Sequence, residues 1–264
     1  MREKASVART AAAPGKAPVT VTFAGCGDAF GSGGRFQACI HLRHEGLAAP
    51  VLLDCGATSL IALRRSGLDP GEIGAVLVSH LHGDHFGGLP FLILDGQFSG
   101  RAAPLLIAGP PGTRQRLTEA MECLFPGSSQ VRRRFDVRVA ELAPGQTTNV
   151  AGLATRAFRA SHPSGAPALI LRLTTGTTGG RVIAYTGDTA WTPAIAAAAE
   201  DADLLIAEAY YWDKPVPHHL RHVDLTEHEH EVTARRVILT HMSADMLNHE
   251  TPYEKARDGL AVTL

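Results

Sequence analysis

Long apolar runs are missing from this sequence. No stretch approaches the roughly 20 consecutive apolar residues that cross a bilayer, so a transmembrane helix is excluded. Cysteine is scarce as well: the four present, Cys26, Cys39, Cys55 and Cys123, are scattered and form no CxxC pair. No disulfide framework is indicated, which suits a reducing compartment. Cys26, Cys39 and Cys55 lie in or beside apolar runs, where a free thiol behaves as a small buried hydrophobe. An excess of charge of one sign is also lacking, since 25 Lys+Arg against 26 Asp+Glu leave a net charge of -1. A protein that grips long nucleic acid through its phosphates carries a clear basic surplus. The local run Arg132-Arg133-Arg134 reads as a solvated face. The first 18 residues have no apolar h-region and read as a flexible extension rather than a signal peptide. The cytoplasm is the expected location.

What is present is the composition of a globular enzyme-sized chain: 264 residues, 45% hydrophobic and 19% charged. That length buries a large core. Short runs rich in Val, Ile and Leu recur between Gly/Pro turns, and predict strands at 19–24, 37–43, 51–54, 75–79, 104–108, 135–141, 153–160, 168–173, 181–186, 203–207 and 236–240. Helical patterns fall at 57–66, 89–95, 113–124, 193–199 and 224–234. Thr192 before Pro193 reads as an N-cap followed by a proline in the first helical position, and Thr113 as a second cap. Residues 174–180 read as a hairpin loop. With no linker inside 19–250, residues 19–264 are expected to form one domain, a sheet core flanked by helices.

The chemistry concentrates in Ser79-His80-Leu81-His82-Gly83-Asp84-His85, directly after the apolar run 75–78. Two histidines two apart at a strand end can reach one centre. Gly83 is expected to permit a tight bend, and Asp84 and His85 then face a second centre. Imidazole and carboxylate suit zinc, and also manganese or iron. One segment cannot complete two coordination spheres. Three further strand ends offer the rest: His162 after 153–160, Asp188 after 182–186 and His241 after 237–240. The glycine-rich stretch 25–34 lacks the Lys-Ser/Thr of a phosphate loop and no helix pattern follows it, so it is not read as a nucleotide cradle.

With HxHxDH at 80–85 and the later His, Asp and His in order, the chain resembles the metallo-β-lactamase-fold hydrolases, and within them the ribonuclease Z-like and cyclic phosphodiesterase branch. Leu53-Asp54-Cys55-Gly56, 109–113, Gly187-Asp188-Thr189 and Leu239-Thr240-His241-Met242-Ser243 add to the likeness, which covers about residues 19–250. The resemblance implies an α+β fold, an αββα four-layer sandwich with two divalent metal ions, zinc first, at one edge of the two sheets, and a homodimer. It assigns His80, His82 and His162 to one metal, Asp84, His85 and His241 to the other, and Asp188 to both. Asp54 would orient a ligand loop. Asp84, Glu208 and His219 are the candidate catalytic residues, with His219 giving a proton to the leaving oxygen and His222 as its rival. Ser243 would bond a phosphate oxygen or cap a helix.

The expected activity is hydrolysis of a small or cyclic phosphodiester by water that two bridged metals deprotonate. Alternatives are a β-lactam, lactone, sulfate ester or thioester, or transfer RNA 3′ processing. Against the last, between His162 and Asp188 there is room only for two strands and a turn, not for the long arm by which ribonuclease Z-like enzymes grip transfer RNA. A non-catalytic scaffold would show a broken ligand set, and this set is complete.

Overall fold

The computed structural model describes residues 16–176 and 179–264. Most of the expected N-terminal extension, residues 1–15, lies outside the described residues, as do Thr177 and Thr178 of the expected hairpin loop. The chain runs β1 (Val19–Gly25), β2 (Cys39–His44), β3 (Val51–Leu53), α1 (Ser59–Arg65), β4 (Ala75–Leu77), α2 (Gly83–Phe86), α3 (Leu89–Phe98), β5 (Leu105–Gly109), α4 (Thr113–Leu124) and β6 (Val137–Glu141). The second half holds β7 (Thr147–Val150), β8 (Leu153–Pro163), β9 (Pro167–Thr175), β10 (Val182–Tyr185), α5 (Pro193–Ala199), β11 (Leu204–Glu208), α6 (His222–Glu227), β12 (Val237–Thr240), α7 (Ala244–Leu247), β13 (Glu254–Lys255) and β14 (Leu260–Thr263).

Among the described residues these strands form two seven-stranded mixed sheets, ordered β14-β1-β2-β3-β4-β5-β6 and β13-β12-β11-β10-β9-β8-β7. Strands β3 to β6 run parallel, as do β10 to β13, and the remaining neighbours are antiparallel. Val21, Phe23, Leu42 and Leu53 of the first sheet bury against Leu169, Leu171, Ile183 and Ile206 of the second. Outside this layer, α1, α3 and α4 cover the first sheet through Leu63, Leu92, Ile93 and Leu117. On the other side Ile195, Ala198, Leu225 and Met246, from α5, α6 and α7, cover the second. Helix, sheet, sheet and helix give the expected αββα order, because each sheet has two apolar faces to hide. No helix among the described residues is long and apolar enough to cross a membrane.

Several boundaries differ from the sequence reading. The helix expected at 224–234 stops at Glu227, since His228-Glu229-His230-Glu231 offers no apolar period to pack and forms only a 3-10 turn. Strand β8 runs on through His162, with a register shift after Arg159. Thr113 opens α4 but does not cap it. Its hydroxyl bonds the Pro110 carbonyl, while Glu141 Oε1 accepts from the amides of Gly112 and Arg114. Thr192 does cap α5, accepting from Ala194 N. All four thiols are free, and burial pushes Cys39 up to about 12. Arg133 of the basic run is bonded to the carbonyls of Val131 and Ser128.

Asp203, at the entry to β11, ties the outer end of the second sheet together. Its buried carboxylate accepts from Lys16 Nζ at 2.9 Å, Val182 N at 2.9 Å and Arg181 Nη1 at 3.1 Å. Burial alone would raise its pKa, but these donors outweigh it and hold the group below the ordinary carboxylate range. A depressed pKa contributes stability above the unfolded value and loses it as pH falls through the folded one. Asp203→Asn is expected to cost about 1.5–3 kcal/mol at pH 7, the scale of a hydrogen bond to a charged group. Urea melts should show that gap closing as pH drops below about 4, where the unfolded carboxylate is already protonated.

Candidate metal centre

The parallel strands of both sheets release their carboxyl ends at one rim, the place where open α/β sheets gather ligands. From the first sheet come Asp54 after β3 and the 79–85 segment after β4. From the second come Asp188 after β10, Glu208 at the end of β11 and His241 after β12. The rims are stitched together by backbone: Leu169 N bonds Ser79 O at 2.9 Å and His241 N bonds Cys26 O at 3.0 Å. Close approach here is made possible by particular glycines. A Cβ on Gly56 would meet Asp84 O at 2.2 Å, and Gly187, at φ +54°, would meet the Ser79 side chain at 2.7 Å. Gly83 does not need its freedom. It lies in the helical turn of α2, where a Cβ would touch nothing within 4 Å, so the bend expected there is an ordinary first helical turn.

Two groups of ligand-type side chains result. His80, His82 and His162 form the first, their ring centroids 4.8–4.9 Å apart and His162 Nε2 3.1 Å from His82 Nδ1. Asp84, His85, Asp188 and His241 form the second and are all buried. Here His85 Nε2 lies 3.1 Å from Asp188 Oδ1 and 3.3 Å from Asp84 Oδ2, and His241 Nε2 lies 3.1 Å from Asp84 Oδ2. Asp188 Oδ2 is 3.5 Å from His241 Nε2 and 3.8 Å from His80 Nε2, so this one carboxylate faces both groups.

The donor set fits divalent cations. The Nε2 atoms of His80 and His85 and Oδ1 of Asp188 are buried without a hydrogen-bond partner among the described residues. Such orphans are costly unless something compensates them. Burial drives the His80 imidazole well below its usual pKa, into the neutral form that ligates. Asp84 and Asp188 are pushed up by burial but far more strongly down by the histidines around them, so both stay anionic.

A second set of residues aims the first. Asp54 accepts from Ser79 N, Ser79 Oγ and Tyr185 Oη, each at 2.7 Å, and meets His85 Nδ1 at 2.6 Å. With Nδ1 directed at a carboxylate, His85 turns Nε2 into the cluster. His162 Nδ1 lies 2.9 Å from the His218 carbonyl, an acceptor only, so it carries the hydrogen and leaves the Nε2 lone pair for the cluster. His241 (φ 55°) and Asp54 (φ 60°) hold left-handed backbone conformations that non-glycine residues rarely adopt.

Beside both groups, His219 Nδ1 lies 3.0 Å from Glu208 Oε2, and Thr189 N donates to Glu208 Oε1. Burial lowers the His219 pKa, but the Glu208 bond and the Asp188 charge outweigh it and raise the imidazole above its usual value. His222 does not join this arrangement. It is buried with Nε2 on Thr251 Oγ1 at 2.7 Å and its ring stacked on Trp212 at 3.9 Å, so of the two rivals only His219 reaches the cluster. Ser243 caps α7, accepting from Met246 N, and bonds its own helix as the capping alternative required. Two neighbours escaped the sequence reading. Tyr210 sets its ring 4.9 Å from that of His219, and the His218 carbonyl orients His162. A carbonyl leaves no residue-type signal.

Two face-to-face mixed sheets with helices outside and a histidine/aspartate cluster at their shared rim define a metal-dependent hydrolase. The chain belongs to the beta-lactamase superfamily, whose domain model matches residues 50–242. It is 28% identical to ribonuclease Z of Methanosarcina acetivorans, over 89% of this chain and 91% of the relative. Its matches to proteins named ribonuclease BN, such as that of Citrobacter koseri at 31% identity, span only 47% of this chain and 39% of theirs. Among solved structures, the short form of human tRNase Z superposes with a TM-score of 0.75 at 27% identity, over 92% of this chain and 98% of that one. The metallo-beta-lactamase fold protein YhfI of Bacillus subtilis gives 0.75 at 19% identity, over 94% and 100%.

Proposed function

We propose that this chain is a phosphodiesterase acting on small or cyclic phosphodiesters. The observation that carries the reading is the Glu208–His219 pair set against Asp188, with His219 Nδ1 3.0 Å from one carboxylate and 3.9 Å from the other. A phosphodiester needs an acid at its leaving alcohol, and a histidine held by a buried carboxylate supplies one. His80, His82 and His162 would hold one divalent ion, Asp84, His85 and His241 a second, and Asp188 would serve both, with zinc best suited to the set. Such a pair supplies Lewis acidity toward a phosphoryl oxygen and a lowered pKa for water.

The protein's own contribution is orientation and proton handling. Asp54 and the His218 carbonyl fix which nitrogen of His85 and of His162 faces the site. Glu208 fixes Nδ1 of His219, so the proton that can leave is the one on Nε2. As the ester bond breaks, that proton passes to the departing oxygen and the imidazole becomes neutral, still bonded to Glu208. A net charge of -1, with Arg133 bonded internally, offers little to a long polyanion and favours a small substrate. The same reading takes residues 19–264 as one hydrolase domain with a core shared between its sheets, working in the cytoplasm as a homodimer.

The full-length likeness to a protein named ribonuclease Z favours a second reading, cleavage of an RNA phosphodiester. One assay panel separates the readings. Purified protein reconstituted with zinc should hydrolyse bis-p-nitrophenyl phosphate and leave nitrocefin and a simple lactone untouched. Faster cleavage of a transfer RNA precursor would favour the second reading. Turnover of nitrocefin or the lactone alone would overturn both.

A further inference from the structure

His219 lines a cavity of about 680 Å³ together with Ala190, Trp191, three residues of the 215–217 segment, Arg221 and Asp224, and Glu208 is not part of that lining. Nothing in the catalytic reading uses this space. We propose that it is the leaving-group subsite and that it takes a planar, uncharged aromatic ring carried by the leaving alcohol, as in a nucleoside ester. The inference rests on the phosphodiesterase reading for its chemistry and on the geometry below for its ligand.

Position comes first. Nδ1 of His219 is engaged by Glu208, so Nε2 is its working edge, and the oxygen it protonates is the one bonded to the departing group. Whatever hangs from that oxygen lies beyond His219, in the cavity that His219 lines. The lining is tied to the metal-ligand side of the site at Pro217, because the carbonyl of the adjacent His218 accepts from His162 Nδ1. Subsite and reaction centre are therefore held in fixed relation.

The lining then selects the ligand. Apart from the acid His219 itself, its one cation is Arg221, bound in a two-point pair to Asp224, with Nη2 2.5 Å from Oδ1 and Nε 3.1 Å from Oδ2. That pair is neutral, so beyond His219 the lining offers no free positive charge for a second phosphate, which argues against the next unit of a polyanionic strand. The remaining walls are two prolines, a valine, an alanine and an indole. That indole is already positioned: Trp191 stacks on His228 at 4.1 Å and 8°, and His228 Nδ1 is held by Glu231 Oε1 at 2.7 Å. A platform whose plane is set beforehand loses little entropy when a ring settles on it.

The chain has two tryptophans, so a Trp212→Phe protein reports on Trp191 alone. In that background adenosine should quench the fluorescence saturably and ribose should not. In parallel, Trp191→Ala should raise KM for bis-p-nitrophenyl phosphate by about tenfold, the scale of one lost ring–aromatic stack, with kcat within about twofold. Trp191→Phe should restore KM, which separates a lost stacking surface from a disturbed fold. Absence of saturable quenching by adenosine, equal quenching by ribose, or an unchanged KM in Trp191→Ala would overturn the proposal. Because quenching needs no turnover, the two ideas fail separately. Adenosine bound without diester cleavage would uphold the aromatic subsite and sink the phosphodiesterase reading. Cleavage without any response at Trp191 would do the reverse.

Discussion

His219→Ala should slow phosphodiester cleavage by about 10²–10⁴-fold, the range associated with losing a general acid. The loss should depend on the leaving group. p-Nitrophenolate departs readily without a proton, so bis-p-nitrophenyl phosphate should sit at the low end of that range and an alkyl diester at the high end. Metal content by mass spectrometry should be unchanged, although the ring lies within ligand distance of Asp188, Glu208 and His241. That pairing of results distinguishes an acid from a ligand. If the variant lost an ion, or slowed alkyl and aryl esters equally, the proton-donor role would have to be abandoned. Glu208→Gln should give a weaker form of the same pattern, since an amide can still accept from Nδ1 but no longer favours the charged imidazole.

The second large effect is expected at Asp188. Its carboxylate is the one group that faces both clusters, and it is only 3% exposed. Asp188→Ala should lower turnover on the order of 10³-fold or more, at least the scale of losing one preorganised electrostatic partner of a reaction. It should also reduce the ions held per chain from two toward one, and added zinc should not restore the rate. His85 and His241 would then lack the charge that holds their pKa values up, His241 to about 9 in its intact surroundings. The variant should therefore bind fewer protons near neutral pH than the native metal-free protein, measurable by potentiometric titration. A variant retaining two ions and working within tenfold of the native rate would contradict the assignment.

Much of this site could be read before any coordinates, because its signal is local and chemical. Four ligand-type side chains in six positions after an apolar strand leave little else to do, and His162, Asp188 and His241 each terminate a strand visible by its Val/Ile/Leu content. The sheet cores were legible for the same reason. What escaped depends on the tertiary arrangement. Strand β7, Thr-Thr-Asn-Val, is exposed at three of its four positions and carries no apolar pattern. Strand β13 is only Glu254–Lys255, too short to carry a pattern, and β14 is an edge strand whose partner β1 lies at the other end of the described chain. Spacing back from His241 favours His219 over His222, but it does not carry the physical reason. That reason lies with Trp212 and Thr251, which draw His222 inward, and with Glu208, which holds His219. Gly83 misled because a glycine beside ligands looks like a hinge, whereas Gly56, after β3, and Gly187, after β10, are among the positions under steric pressure.

The left-handed backbone at His241 carries a consequence of its own. A side chain there costs about 1–3 kcal/mol that glycine would avoid, and the bond from His241 N to Cys26 O holds the conformation whatever occupies the rim. At this position durability and chemistry select for opposite residues. A lineage that abandoned hydrolysis would be free to drift there toward glycine, gaining robustness, so the residue at 241 is a marker by which working and retired copies of such a protein could be told apart.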